Sequence, residues 1–399
     1  MKAPSLLRDR GTGTRVSNTE LFFDLVYVVA VTQLTSLLRE NPTMHGLLQT
    51  LVLLGMVWNV WVYTTWVTNW LDPERTPTRL MLFGVMAASL VLADGVTQAY
   101  GHRGLWVGIA YAVMQVGRSL YTVWATRADP LQRNYLRILA WCVLSGICAV
   151  AAGTLAGNLR LWLFAAAVAV DVAGGIVQFW TPGLGRSETA DWTIDGPHFA
   201  ERCQAFVLIA LGESLIGVST PLGDAQHVDI SGVIGLLAGF VAVVSLYLIY
   251  FARWAEQGTE QIAGSKDPGK LAARAYHLLH PVMIVGIILL AAGVEEVLDP
   301  LLGRALEHPP SLAMLALFCS GGAAVFVFGH ALYIRMIAGR ISLAHLLALC
   351  ALISAALAGP WLSATRLTAG TSAAVVLVLL CVFEPRLAGP AAQDGEAPA

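Results

Sequence analysis

A chain of 399 residues that is 57% apolar and only 13% charged carries about half the charge of a water-soluble domain, in which roughly 25% of residues are Asp, Glu, Lys or Arg. That excludes a soluble globular enzyme. The formal net charge of −2 gives no electrostatic footprint for nucleic acid, and no basic stripe or aromatic platform restores one, so no nucleic-acid partner is expected.

Residues 1–19 are polar and carry Lys2, Arg8, Arg10 and Arg15. They lack the apolar stretch and small-residue cleavage site of a secretory signal, and read as an N-terminal arm. Continuous apolar runs of helix length follow near 20–38, 46–71, 79–100, 104–126, 137–157, 160–180, 198–219, 230–253, 275–298, 311–334, 341–363 and 366–384. Runs this long and unbroken satisfy their backbone in lipid only as helices, since barrel strands are short and alternate. The expected class is therefore an all-α polytopic transmembrane helix bundle of about twelve helices. With the N-terminus inside, 18 of the 24 Lys and Arg fall on the same side, so both termini are expected in the cytoplasm. The six cysteines lie in apolar runs with no CxxC pair and read as core residues rather than disulfide or zinc ligands.

Ionisable groups inside spans are costly and persist where a bundle interior supplies a partner. On the first span Glu20 and Asp24 stand one turn apart on one face. The second span gathers Trp58, Trp61, Trp66 and Trp70, which read first as headgroup anchors and second as faces for a cation. Asp94 and Asp171 lie deep or toward the outer ends of their spans. Arg118, alone within the fourth span, is assigned to Asp24 as a buried pair. In the seventh span His198, Glu201, Arg202 and Glu213 fall within about 120° of arc on a helical wheel, and Glu213 lies roughly 22 Å from the inner end. That depth makes it a candidate proton or cation carrier. His277 and His280, three apart near the inner surface, form a weak metal-ligand pattern, and Glu295 with Glu296 reads as a mark of the water boundary.

The segment 181–197 divides six crossings from six, and the halves share landmarks in order. Glu20 and Gln33 correspond to Glu201 and Glu213, Asp94 to Glu295, Gly117-Arg118-Ser-Leu-Tyr121 to Gly329-His330-Ala-Leu-Tyr333, and Phe179-Trp-Thr-Pro182 to Phe383-Glu-Pro385. The expected organisation is a repeat over 20–180, a cytoplasmic linker over 181–197, a parallel repeat over 198–385 and a disordered tail over 386–399. Walker, dinucleotide, HExxH and GxSxG motifs are absent, so no cofactor is expected and an ATP-driven pump is disfavoured.

The stretch Thr19-Glu-Leu-Phe-Phe-Asp-Leu-Val-Tyr-Val-Val-Ala-Val-Thr-Gln-Leu34, with His198-Phe-Ala-Glu-Arg202, Ile209-Ala-Leu-Gly-Glu-Ser214, Leu248-Ile-Tyr-Phe251 and Tyr276-His-Leu-Leu-His280 before Gly286 and Ala292-Gly293, resembles the bacterial low temperature requirement protein A family. The resemblance spans nearly the whole chain. Cys203-Gln-Ala departs from it, standing where glycine-leucine is more usual. It implies a bacterial plasma-membrane protein and brings no reaction or substrate. The residues themselves favour a secondary transporter or ion-translocating protein, with a small ion or solute as partner and Asp24, Asp94, Arg118, His198, Glu201, Arg202 and Glu213 along its pathway. The alternatives are an intramembrane enzyme acting on a lipid or hydrophobic substrate, and a membrane sensor or assembly factor. Oligomeric state is left open.

Overall fold

The computed structural model describes residues 6–8, 15–127, 129–187, 194–223, 225, 228–359 and 366–387. The expected disordered tail lies almost wholly outside them, as do parts of the N-terminal arm and of the 181–197 segment.

Apolar runs become helices throughout. They are α1 (Asn18–Glu40), α2 (Met44–Trp70), α3 (Thr76–Gly95), α4 (Gly104–Ala125), α5 (Leu131–Thr154), α6 (Gly157–Ile176), α7 (Gly196–Gly223), α8 (Ile230–Phe251), α9 (Trp254–Ala263) and α10 (Pro268–Leu271). A π-helical turn over Ala272–His277 leads to α11 (His280–Leu301), and α12 (Leu312–Ala316) passes through another, Leu317–Gly321, into α13 (Gly322–Ala338). α14 (Leu343–Ala358) and α15 (Arg366–Leu387) complete the chain. Among the described residues the only extended pairings are two isolated bridges, Leu7 with Leu71 and Thr181 with Gly185.

Nine helical segments among the described residues are long and apolar enough to cross a membrane, counting α8 with α9, α10 with α11 and α12 with α13 as continuous. α14 and the Gly370–Glu384 part of α15 are shorter apolar helices. α4 fills the remaining expected position, its hydropathy lowered by Gln115 and Arg118. The molecule is an all-α polytopic transmembrane bundle. Polar residues mark the helix starts: the Asp229 carboxylate accepts from Gly232 N at 2.8 Å and Ser311 Oγ from Met314 N at 3.2 Å, filling donors a helix leaves open.

The chain divides into two compact units. The first comprises Met1–Leu37, His45–Ile209 and Thr259–Ala273, and the second Leu38–Met44, Ala210–Gly258 and Arg274–Ala399. This division by compactness runs through α7, whereas the repeat read from sequence begins at its start. In the first unit α4 and α5 touch backbone to backbone along Gly104, Gly108 and Gly153. A Cβ on Gly108 would meet the carbonyl oxygen of Ala149, and one on Gly153 would lie 2.9 Å from that of Gly104. In the second unit α11 meets α13 in the same manner at Gly286 and Gly322. Lipid tails are as apolar as leucine, so close approach through small residues, rather than hydrophobic exclusion, holds such pairs.

Candidate functional site: a buried acid and base network

Four ionisable side chains of the first unit with almost no exposure meet in one network: Glu20 and Asp24 on α1, His198 and Arg202 on α7. Each pair is separated by four residues, so each helix offers both groups from one face. Ser17 starts α1 as a capping box. Its hydroxyl accepts from Glu20 N at 3.2 Å, and Glu20 Oε2 accepts from Ser17 N at 3.0 Å, which fixes the Glu20 carboxylate at the helix start.

The Arg202 guanidinium grips Asp24 with two bonds, Nε to Oδ2 at 3.0 Å and Nη2 to Oδ1 at 2.6 Å. Its Nη1 donates to Glu20 Oε1 at 3.0 Å and to Thr68 Oγ1 at 3.2 Å. This planar fork suits arginine and not lysine. Trp61 Nε1 donates to Asp24 Oδ1 at 2.7 Å, and the rings of Trp61 and Phe23 each lie 5.8 Å from the guanidinium carbon. Arg8 completes the set, its Nη2 donating to Glu20 Oε2 at 3.0 Å. It is brought there by Leu7 bridging to Leu71 and by its own N–H bonding to Trp70 O at 2.8 Å.

His198 has a defined tautomer. The Asp195 N–H donates to Asn69 Oδ1 at 2.8 Å, and Asn69 Nδ2 donates to Asp195 O at 2.8 Å. That orientation turns the amide nitrogen toward His198 Nδ1, 3.2 Å away. Nδ1 therefore accepts, and the ring carries its proton on Nε2, 3.0 Å from Glu20 Oε1. Trp61→Phe removes one donor to a buried carboxylate, with an expected destabilisation of about 1.5–3 kcal/mol. Denaturant unfolding of the purified variant checks it, and a loss within error of zero would mean that bond contributes nothing.

The structure brings together Asp24, His198 and Arg202 from the expected pathway set, and corrects the pairing of Asp24. Its cation is Arg202, not Arg118. Arg118 instead donates to Val60 O at 3.1 Å, to Thr64 Oγ1 at 3.2 Å and to Gln115 Oε1 at 2.5 Å, with Tyr63 against its face. Glu201, one residue before Arg202, is exposed. Asp94 is exposed too, paired with Arg103 at the end of α3, and does not join this network. Glu213 is buried in the second unit. Sequence reasoning missed Arg8, Thr68 and Asn69. Trp61 is no headgroup anchor, and its neighbours Trp58 and Trp70 are buried as well, because the acids on α1 and Arg202 on α7 give Trp61 polar and cationic partners in the interior.

In the second unit Arg39 bonds three carboxylates, Glu295 at 2.6 Å, Glu296 at 3.2 Å and Asp299 at 2.5 Å. Glu295 and Glu296 are thus buried members of an ion cluster. His280 is occupied on both nitrogens, Nε2 with the Tyr250 hydroxyl at 2.7 Å and Nδ1 with Ala275 O at 3.1 Å. The π turn ends at His277, which breaks the helical spacing to His280. Among the described residues no group of three or more His, Cys, Asp or Glu is placed to hold a metal ion.

The family model for the bacterial low temperature requirement A protein (LtrA) matches residues 15–382. The chain is 30% identical over 385 residues to an uncharacterized protein of Rhizobium meliloti (strain 1021), which covers 95% of this chain and 91% of that protein. No solved structure matches. The match runs through both units and includes the motifs that supply Glu20, Asp24, His198 and Arg202, and the chain belongs to the bacterial low temperature requirement A family.

Proposed function

We propose that the protein translocates an ion or a small solute across the bacterial plasma membrane, with both termini in the cytoplasm and its twelve helices arranged as two parallel six-helix repeats. The observation that carries this reading is the fully buried network of Glu20, Asp24, His198 and Arg202. Ionisable groups within a span cost on the order of 2.5–3.5 kcal/mol each on insertion scales, and a bundle needing only stability is built more cheaply from apolar side chains. In this reading the network sets the charge at the cytoplasmic mouth, and Glu213, buried in the second unit, binds the moving proton or cation.

The test uses protein reconstituted into vesicles with a trapped pH dye or a sodium or potassium indicator. Under an imposed gradient the wild type is expected to dissipate one of these ions, and Glu213→Gln to lose most of that flux. Unchanged flux in Glu213→Gln removes the role of Glu213. A second reading is favoured by the two-bond pairing of Asp24 with Arg202, in which the network is a fixed clasp of a membrane sensor or assembly factor. A wild type that passes none of the three ions supports the clasp and overturns ion translocation.

A further inference from the structure

The first unit holds another buried polar cluster that shares no side chain with the network above. At its centre is Asp171 on α6. Tyr111 and Gln115 come from α4, the Gln115 Nε2 donating to Asp171 Oδ2 at 2.6 Å and the Tyr111 hydroxyl donating to the same oxygen. From α2 the Tyr63 hydroxyl donates to the backbone oxygen of Asp171 at 2.9 Å. From α5 come Ser145, beside the carboxyl group, and Cys142. The charged group facing this cluster is Arg118, and no hydrogen bond or ion pair joins it to the carboxyl group. Its bonds go to Val60 O, Thr64 Oγ1 and Gln115 Oε1, so the Gln115 amide stands between cation and acid.

The two carboxyl oxygens are treated unequally. Oδ2 receives two donors, while Oδ1 is buried with no hydrogen-bond partner. A carboxylate has two equivalent oxygens with about four acceptor sites between them. Burying one of those oxygens bare, without a cation bonded to it, is the costly arrangement. A neutral carboxylic acid has other needs: its carbonyl oxygen takes two donors, and its hydroxyl oxygen needs an acceptor rather than a donor. Ser145, whose hydroxyl hydrogen goes to Cys142 O at 3.1 Å, offers no donor to Oδ1.

We propose that Asp171 is a proton-binding site of the first unit, occupied in this conformation, with the proton on Oδ1 and the carbonyl oxygen Oδ2 held by Tyr111 and Gln115. Binding forms one O–H bond at the expense of a water-borne proton and breaks none in the protein. Loaded, the cluster carries the single charge of Arg118. Unloaded, it carries a separated ion pair with Gln115 between the partners. The site is therefore a buried position at which one proton switches the net charge of the first unit's interior, and it stands on hydrogen bonding alone, independent of any cargo.

Infrared spectroscopy of the purified protein in lipid tests this without a transport assay. The wild type is expected to show a protonated-carboxyl C=O band that Asp171→Asn lacks, and Asp171→Asn, isosteric with the neutral acid, is expected to melt close to the wild type. A wild-type and Asp171→Asn pair with identical spectra in that region overturns the proposal. Should Asp171→Asn fail to fold, Tyr111→Phe keeps the question decidable. Loss of one donor to the carbonyl oxygen is expected to move the band to higher frequency, and an unmoved band in folded Tyr111→Phe overturns the assignment.

Discussion

Arg202→Ala is expected to lower the unfolding free energy by about 3–5 kcal/mol, the cost of leaving a buried charge without its partner. Two carboxylates, Glu20 and Asp24, lose the fork that bonds both of them, and Arg8 reaches only Glu20. Arg202→Lys is expected to recover only part of the loss, because an ammonium offers a point charge where Asp24 receives two parallel bonds. The double variant Asp24→Asn with Arg202→Gln is expected to be less damaged than the sum of its singles, since neither charge is then left alone. Titration with a denaturing detergent, followed by circular dichroism, measures these variants, the singles Asp24→Asn and Arg202→Gln, and the wild type. A single-variant loss below about 1 kcal/mol, the range of exposed ion pairs, would mean the network contributes little to folding.

Gly286→Val is expected to cost about 3 kcal/mol or more, at the upper end of what overpacking does. Even the first added carbon has no room: a Cβ there would lie 2.5 Å from Phe326 N and 2.7 Å from Gly322 O. Both neighbours are backbone, so no side chain can swing aside, and α11 must separate from α13. Gly84 on α3 supplies the control, as nothing lies within 4 Å of a Cβ there. Gly84→Ala is expected to be neutral or to stabilise by up to about 1 kcal/mol through lost chain entropy. Equal tolerance at the two positions would show that the seam between α11 and α13 is looser than its geometry.

Apolar run length made the helices legible in the sequence, because lipid leaves each segment to satisfy its own backbone. The first expected crossing, 20–38, lies inside α1, Asn18–Glu40. The partner of Asp24 was not legible from the depth of Arg118, since depth along a span fixes one coordinate and says nothing of the direction a side chain faces. A finer signal was present. Glu20 and His198 are 178 residues apart, as are Asp24 and Arg202, and each pair stands at the same count from its helix start. Two helices entering from one side at equal register bring those groups level. Asp94 was legible as a group toward the end of its span; its exposure was not, because the apolar run was read on to residue 100, whereas α3 ends at Gly95. The Ser17-x-x-Glu20 spacing announced the cap, but not the second duty of Glu20 toward Arg202. Asn69 carried no sequence signal, because its role comes from backbone atoms of Asp195 that only the fold delivers.

That asparagine fastens α2 to the start of α7 at three points. Its amide oxygen takes the N–H of residue 195 and its amide nitrogen gives to the carbonyl of the same residue, while the nitrogen also faces Nδ1 of the imidazole. Turning the amide over would set like against like at both contacts to residue 195, so one orientation serves backbone and ring together, in the stretch whose Asp195 carboxylate also accepts the His198 N–H.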